Sequence, residues 1–258
     1  MKAPAFAYAR PGSLGEALDL LARPGAKALA GGQSLIPSLN MRLSSPELLV
    51  DIGGLKELRG ISLQEGVLRI GALTTHAQLE DSHEVKKHVP LLAQAVPHVA
   101  HAAIRNRGTL GGSLALADPA AEYPAVAVAL QAVLTLKGKA SERKVEATRF
   151  FKGLFETDLK PGELLTAVEF PAAKPTDRSV CLELTRRQGD YAIVGLAAHN
   201  ERFVFFGVGP VPFLLKGGKD DLKRELKPTA DLYHSAATKL HLAGVLLERA
   251  WNSLSTSR

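Results

Sequence analysis

Two glycine pairs constrain this chain more than any other feature. They are Leu29-Ala30-Gly31-Gly32-Gln33-Ser34-Leu35 near the start and Thr109-Leu110-Gly111-Gly112-Ser113 far downstream. Each sets two glycines and a small or polar residue between an apolar run and a segment with helical spacing. Glycine reaches φ > 0 and lets the backbone approach a ligand with no Cβ in the way. Consecutive N–H groups then converge into a concave nest suited to an anion such as a phosphate. One such turn is ordinarily just a tight turn, whereas two of similar form point to a diphosphate held between them. The chain contains neither G-x-x-x-x-G-K-[ST] nor G-x-G-x-x-G, so neither a P-loop nor a Rossmann fingerprint is present.

Helix and strand patterns alternate around the first pair. Ser13-Leu14-Gly15-Glu16 has the form of a capping box and opens a helix over 13–23, stopped by Pro24-Gly25. A short strand over 27–30, a helix over 35–43 and a buried strand over 48–52 follow, ending at Gly53-Gly54 as a hinge. Next come a hairpin around Gln64-Glu65-Gly66, a helix capped at Thr75 with Gln78, and another over 91–101. Pro119 opens a buried Ala/Val-rich helix over 120–132, and strands over 133–136 and 163–170 return. The polar stretch 172–178 reads as a linker. Beyond it, segments 180–184, 192–198 and 203–208 form an antiparallel set, and a long helix over 232–254 closes the chain. The hinge at Gly53-Gly54 and the linker over 172–178 divide the chain into three parts: 1–53, 54–171 and 178–258.

Composition narrows the function. With 258 residues, 46% hydrophobic and 22% charged, the chain reads as an ordinary globular protein able to bury a core. Its net charge of +6 permits nucleic-acid binding, but Lys and Arg are scattered and aromatics make up only 5%, so a solvated mixed-charge surface is the better reading. The single cysteine, Cys181, excludes an internal disulfide framework and any cysteine-held iron–sulfur cluster within this chain. It also agrees with a reducing cytoplasm. No apolar run approaches the roughly 20 residues of a membrane span, and the N-terminus lacks a signal-peptide core.

Few residues stand out as chemically active, and no catalytic residue or metal site is expected. The histidines form no HExxH; His98 and His101 are an i, i+3 pair without a third ligand and read as structural. Asp118, before Pro119, suits a helix cap or a hydrogen bond to ligand hydroxyls, and one carboxylate can do both. Tyr191, in Arg186-Arg187-Gln188-Gly189-Asp190-Tyr191-Ala192, starts a strand and by itself reads as a packing residue.

Three stretches together carry a resemblance. Ala30-Gly31-Gly32-Gln33-Ser34-Leu35-Ile36-Pro37, then Arg107-Gly108-Thr109-Leu110-Gly111-Gly112-Ser113 with Ala117-Asp118-Pro119-Ala120-Ala121-Glu122, and finally Arg187-Gln188-Gly189-Asp190-Tyr191-Ala192 resemble the FAD-binding medium subunit of molybdenum hydroxylases. That group includes carbon monoxide dehydrogenase and xanthine dehydrogenase. The resemblance spans almost the whole chain, from Phe6-Ala7-Tyr8-Ala9-Arg10-Pro11 to the terminal helix.

The resemblance implies a two-subdomain FAD-binding fold of the PCMH/VAO type and a small C-terminal α+β domain with a three-stranded antiparallel sheet. It places the diphosphate of a non-covalent FAD on Ala30, Gly31, Gly32, Gln33 and Ser34 and on Thr109, Leu110, Gly111, Gly112 and Ser113. Asp118 then falls near the ribityl chain and Tyr191 beside the isoalloxazine ring. It further implies electron transfer from a small [2Fe–2S] subunit, working with a large molybdenum-cofactor subunit, to NAD, a quinone or oxygen. The span between Ala198 and Gly207 is shorter than relatives usually carry, so a trimmed C-terminal sheet is expected. A stand-alone FAD-dependent oxidoreductase and a non-enzymatic nucleotide-binding protein are the rival readings.

Overall fold

The computed structural model describes residues 2–255. Its first part is a three-stranded parallel sheet made of β1 (Ala7–Ala9), β2 (Ala26–Leu29) and β3 (Leu48–Asp51), with β3 central. Helix α1 (Leu14–Leu21) forms because Ser13 accepts from the Glu16 N–H and every third or fourth residue is apolar. Its Ala17, Leu18 and Leu21 pack with Val50 and Ile52. Helix α2 (Leu35–Asn40) follows the first glycine pair and stops well short of residue 43.

The second part is a five-stranded antiparallel sheet in the order β4 (Ile61–Gln64), β5 (Val67–Gly71), β10 (Leu164–Pro171), β6 (Val133–Lys137), β7 (Glu142–Glu146). Strand β7 is an edge, Glu-Arg-Lys-Val-Glu, whose Glu142, Lys144 and Glu146 face solvent and discourage pairing with another chain. A small hairpin, β8 (Phe151–Gly153) with β9 (Glu156–Thr157), lies beyond it. One face of the large sheet is covered by α3 (His76–Asp81), α4 (His83–His88), α5 (Pro90–Ala95), α6 (Ala102–Arg105), α7 (Leu110–Leu116), α8 (Glu122–Ala129) and α9 (Ala147–Phe150). Thr75 and Gln78 complete the expected capping box of α3. All eight residues of α8 are buried, as the apolar run after Glu122 requires, and Glu122 is carried into the interior with them. It starts at Glu122 rather than at Pro119, because Asp118 first turns the chain by accepting from the Ala120 N–H at 2.9 Å.

The third part is an antiparallel sheet of β11 (Ser179–Leu184), β12 (Val194–His199), β13 (Arg202–Phe206) and β14 (Phe213–Leu215), followed by α10 (Leu222–Glu225) and α11 (Ala236–Ser255). The small antiparallel sheet is therefore present with one strand more than expected. The short span after Ala198 tightens the β12–β13 turn, where Asn200 takes φ 52°, and does not trim the sheet. Period-two alternation divides its side chains. Val194, Leu196 and Ala198 meet α11, while Cys181, Ala197, Val204 and Phe206 join the core around α8. Arg202 seals that second contact by donating to the Ala129 and Val128 carbonyls at 3.1 Å each, the open C-terminal end of α8.

Candidate functional site

The first glycine turn has the geometry of a nest. Gly32 takes φ +72°, which glycine adopts without a Cβ penalty. Among the described residues, the N–H groups of Gly31, Gly32, Gln33 and Ser34 donate to no carbonyl or side chain. Four consecutive donors without internal partners need an external acceptor, and an anion suits them. The Gln33 side chain folds back onto the Gly31 carbonyl at 3.1 Å, which leaves the peptide N–H groups to face outward. Ser34 precedes α2 without using its side chain as a cap.

The second glycine pair is built differently, and the expectation of a second nest is not met. Thr109 is the N-cap of α7, its Oγ1 accepting from Gly112 at 3.1 Å, so both glycines lie inside the first helical turn with ordinary φ. Leu110 is fully buried and donates its N–H to the Thr74 carbonyl, and Gly111 donates to Ala72. Their role here is close packing: a Cβ on Gly111 would stand 2.8 Å from the Ala72 carbonyl oxygen. The bare Cα of Gly112 faces the first turn, since a Cβ there would lie 3.9 Å from Ala30 Cβ. Ser113 continues the helix, its N–H donating to the Thr109 carbonyl.

The two turns are in direct contact. A Cβ on Gly31 would meet the Arg107 carbonyl carbon at 2.7 Å and Gly108 Cα at 2.9 Å. His76, which the sequence did not single out, fixes the far side of this seam. Its backbone N–H donates to the Gly108 carbonyl, and its ring pairs with the buried Tyr123 hydroxyl at 3.1 Å. Burial lowers the His76 pKa to about 4, with Arg105 adding to the effect, so the ring stays neutral. Beside the seam lies a cleft of about 390 Å³, lined in part by Ala30, Gly31, Thr109 and the side chains of Arg10, Arg59 and Arg107. Asp51 in its wall is held by Tyr8 at 2.5 Å and by the Gly53 N–H at 2.9 Å.

Helix α7 links the glycine seam to the other two candidates. Seven residues long, it sets Asp118 about 10 Å beyond Gly111, after Ala117 ends it in the left-handed region at φ 53°. Asp118 is half-buried and close enough to Tyr191 for the two to shift each other's ionisation, which brings two residues far apart in sequence to one neighbourhood. Burial pushes the Asp118 carboxyl up, opposed by the Ala120 N–H and the Tyr191 hydroxyl. Burial and then the charges of Asp118 and Glu122 push the Tyr191 phenol up, so it stays protonated near neutral pH. The Tyr191 residue nevertheless remains 67% exposed. Its loop is pinned at Gly189, φ +83°, where any Cβ would strike the Ala100 carbonyl oxygen at 2.8 Å.

Glu122, Glu183 and His98 lie behind that pair. Glu122 ends the second motif in the sequence, and no local pattern marks Glu183. His98 belongs with Glu183, Nδ1 to Oε1 at 3.1 Å, and not with His101. Among the described residues, no group of three or more His, Cys, Asp or Glu side chains is arranged to hold a metal ion. No helix among them is long and apolar enough to cross a membrane.

Residues 4–173 match the family described as the FAD binding domain in molybdopterin dehydrogenase. The 6-hydroxypseudooxynicotine dehydrogenase complex subunit alpha of Paenarthrobacter nicotinovorans is 44% identical over 200 residues, covering 77% of this chain and 68% of that one. The carbon monoxide dehydrogenase medium chain of Hydrogenophaga pseudoflava is 34% identical over 278 residues, covering 97% of each. A solved structure of carbon monoxide dehydrogenase from Hydrogenophaga pseudoflava, lacking the Mo-pyranopterin moiety, superposes with a TM-score of 0.94 at 33% identity over 99% of both chains.

Proposed function

This chain belongs to the FAD-binding subunits of the molybdenum hydroxylases, a family of oxidoreductase components, and from that premise we propose that it is the flavin-bearing electron-transfer chain of a multi-subunit complex. The observation that carries this reading is the run of four N–H donors at Gly31–Ser34, which fits a diphosphate beside the bare Gly112. FAD supplies a carrier that accepts electrons singly from an iron–sulfur cluster and releases them in pairs to an acceptor.

The chain's own residues position and enclose. Ala30 lies beside the second turn, and Thr109 caps α7 by accepting from Gly112, whose bare Cα faces Ala30. Gly31, Gly32, Gln33 and Ser34 bind the diphosphate through their backbone. Arg10, Arg59 and Arg107 add positive potential from the adjoining cleft. Leu110 and Gly111 anchor the seam to the second sheet, with Ser113 in the helix behind it. Asp118 is assigned to the ribityl hydroxyls and Tyr191 to the edge of the ring system. Binding is non-covalent: the glycine motifs contain no His or Cys, and Cys181 is buried with its thiol pushed far up by burial.

Two partner subunits complete the pathway in this reading, one small with [2Fe–2S] clusters and one large with the molybdenum cofactor. The relatives' designations as a medium chain and a complex subunit support it. One cysteine cannot supply the four ligands of a cluster, so electrons enter from another polypeptide. NAD, a quinone or oxygen is the acceptor. The three units proposed are 1–53 and 54–171 for the cofactor and 178–258 as the cover. The compartment proposed is the cytoplasm, where a lone thiol stays reduced.

The test is direct. The purified chain should carry FAD by its absorption spectrum, and a reduced iron–sulfur partner should bleach it. Bleaching by an organic substrate with no partner present would instead establish a stand-alone flavoenzyme. A colourless protein that ignores added FAD would favour a nucleotide-binding role without redox chemistry.

A further inference from the structure

We propose that Glu122, Glu183 and His98 form a proton-holding site that offsets the negative charge of electrons stored beside Asp118 and Tyr191, exchanging its proton with solvent through His98. The proposal rests on the flavin reading above, and it goes beyond it by assigning a role to three side chains outside the cofactor motifs.

The site lies where the middle part of the chain meets the C-terminal sheet. Glu122 sits in the first turn of α8 at 7% exposure. Glu183 projects from β11 with its side chain 4% exposed. Glu183 Oε1 meets His98 Nδ1 at 3.1 Å, while Glu183 Oε2 is buried and, among the described residues, has no hydrogen-bond partner. A buried carboxylate oxygen without a donor is costly, and a proton taken up beside it lowers that cost. The His98 side chain is 37% exposed and so connects this interior to solvent.

The surrounding groups decide the charge state. Glu122 interacts electrostatically with Asp118 and Tyr191, with Glu183 and the buried Cys181 of β11, and with His98 in the turn after α5. Tyr123, the next residue on α8, is held neutral by burial. Two buried carboxylates beside one imidazole leave negative charge in excess whether or not the ring is protonated, and neighbouring buried carboxylates resist double ionisation. Burial first, then the Glu183 and Asp118 charges, push Glu122 up to about 7, against its own backbone hydrogen bond and His98. His98 itself is raised, chiefly by its bond to Glu183.

The coupling is electrostatic and balanced. Two electrons arriving next to Asp118 make the neighbourhood more negative and raise the proton affinity of the Glu122–Glu183 pair. One proton then leaves a solvent hydronium or buffer acid, passes His98 and forms a carboxyl O–H bond. When the electron pair leaves for the acceptor, that O–H bond breaks and the proton returns to solvent. No other bond of the protein changes.

The test is the flavin midpoint potential of the FAD-loaded protein, measured by spectroelectrochemistry from about pH 6 to about pH 9. A tenfold rise in the proton affinity of the pair on reduction corresponds to about 30 mV for a two-electron couple. The wild type should show that extra, pH-dependent step, and Glu122→Gln and Glu183→Gln should each lose it while retaining flavin. His98→Asn removes a cation, so the step should move to higher pH with its amplitude kept. Carbon-13 NMR of glutamate carboxyls in the flavin-free protein gives a second readout: one resonance should titrate near neutrality and vanish in Glu122→Gln. Superimposable potential curves for wild type and both glutamine variants, with flavin bound in all, overturn the coupling alone. Absence of bound flavin in the wild type overturns the functional reading and the coupling with it.

Discussion

Replacing Gly31 by alanine probes the seam between the two glycine turns. The new Cβ would stand 2.7 Å from the Arg107 carbonyl carbon and 2.9 Å from Gly108 Cα, and closer still to the Arg107 oxygen. Those atoms are backbone and cannot swing aside. Gly108 donates to the Ile104 carbonyl at 2.7 Å, and its own carbonyl accepts from His76 at 3.0 Å. The turns must therefore part by about 1 Å, at the 1–3 kcal/mol typical of overpacking, roughly. The flavin-free protein relieves this by opening the seam, whereas binding requires it closed. The strain should then appear in affinity, weakening FAD about tenfold to hundredfold. Gly32→Ala is the control. Its φ of +72° costs about 1–2 kcal/mol of stability. Its nearest neighbours are the side-chain atoms Ile36 Cγ1 at 3.1 Å and Leu29 Cδ1 at 3.3 Å, which yield without prying the turns apart. Fluorescence titration of each flavin-free variant with FAD, alongside its melting temperature, separates the two effects. Wild-type affinity in Gly31→Ala would refute the closed seam as the binding geometry.

Three further outcomes follow from the same contacts. Glu122 has its pKa raised from 4.5 to about 7 in the folded chain, so folding favours its protonated form; its contribution is lost as pH rises through that window, by about 3 kcal/mol in all. Denaturant titrations should show Glu122→Gln losing less stability between acid and alkaline pH than the wild type, and parallel profiles would contradict this. Arg202→Ala uncaps the Ala129 and Val128 carbonyls and should cost about 2–3 kcal/mol by urea denaturation; a change within error would show that water replaces the guanidinium. Tyr191→Phe should keep flavin and near-normal electron transfer, whereas Tyr191→Gly should alter the flavin potential or oxygen reactivity. A large rate loss confined to the Phe variant would make the hydroxyl essential.

Much of this was legible in the residues, for identifiable reasons. The capping residues Ser13 and Thr75 and the Ala/Val run of α8 are local signals, and the chain obeys them. The first glycine turn was equally readable, because Gly32 needs a positive φ. The second was misread because glycine serves left-handed turns and close packing alike, and only the neighbouring Ala72 and Ala30 tell them apart. Strand β7 went unseen because its polar alternation resembles a loop, and β14 is only three residues long. The Glu183–His98 bond joins residues far apart in sequence, so spacing offered nothing except the misleading neighbour His101.

The division of the hydrophobic core carries a lesson about modularity. The family match ends at residue 173, yet Cys181, Ala192, Ala197, Val204 and Phe206 belong to the same apolar cluster as Leu68, Ile70 and Tyr123. What is inherited as a cofactor module is therefore not what folds as one. A piece cut at that boundary would expose the flank of α8 to water and leave its last carbonyls without Arg202. The C-terminal sheet behaves as a wall shared by two rooms. Changes on its α11 side can accumulate separately, whereas changes on its α8 side must suit the cofactor lobe.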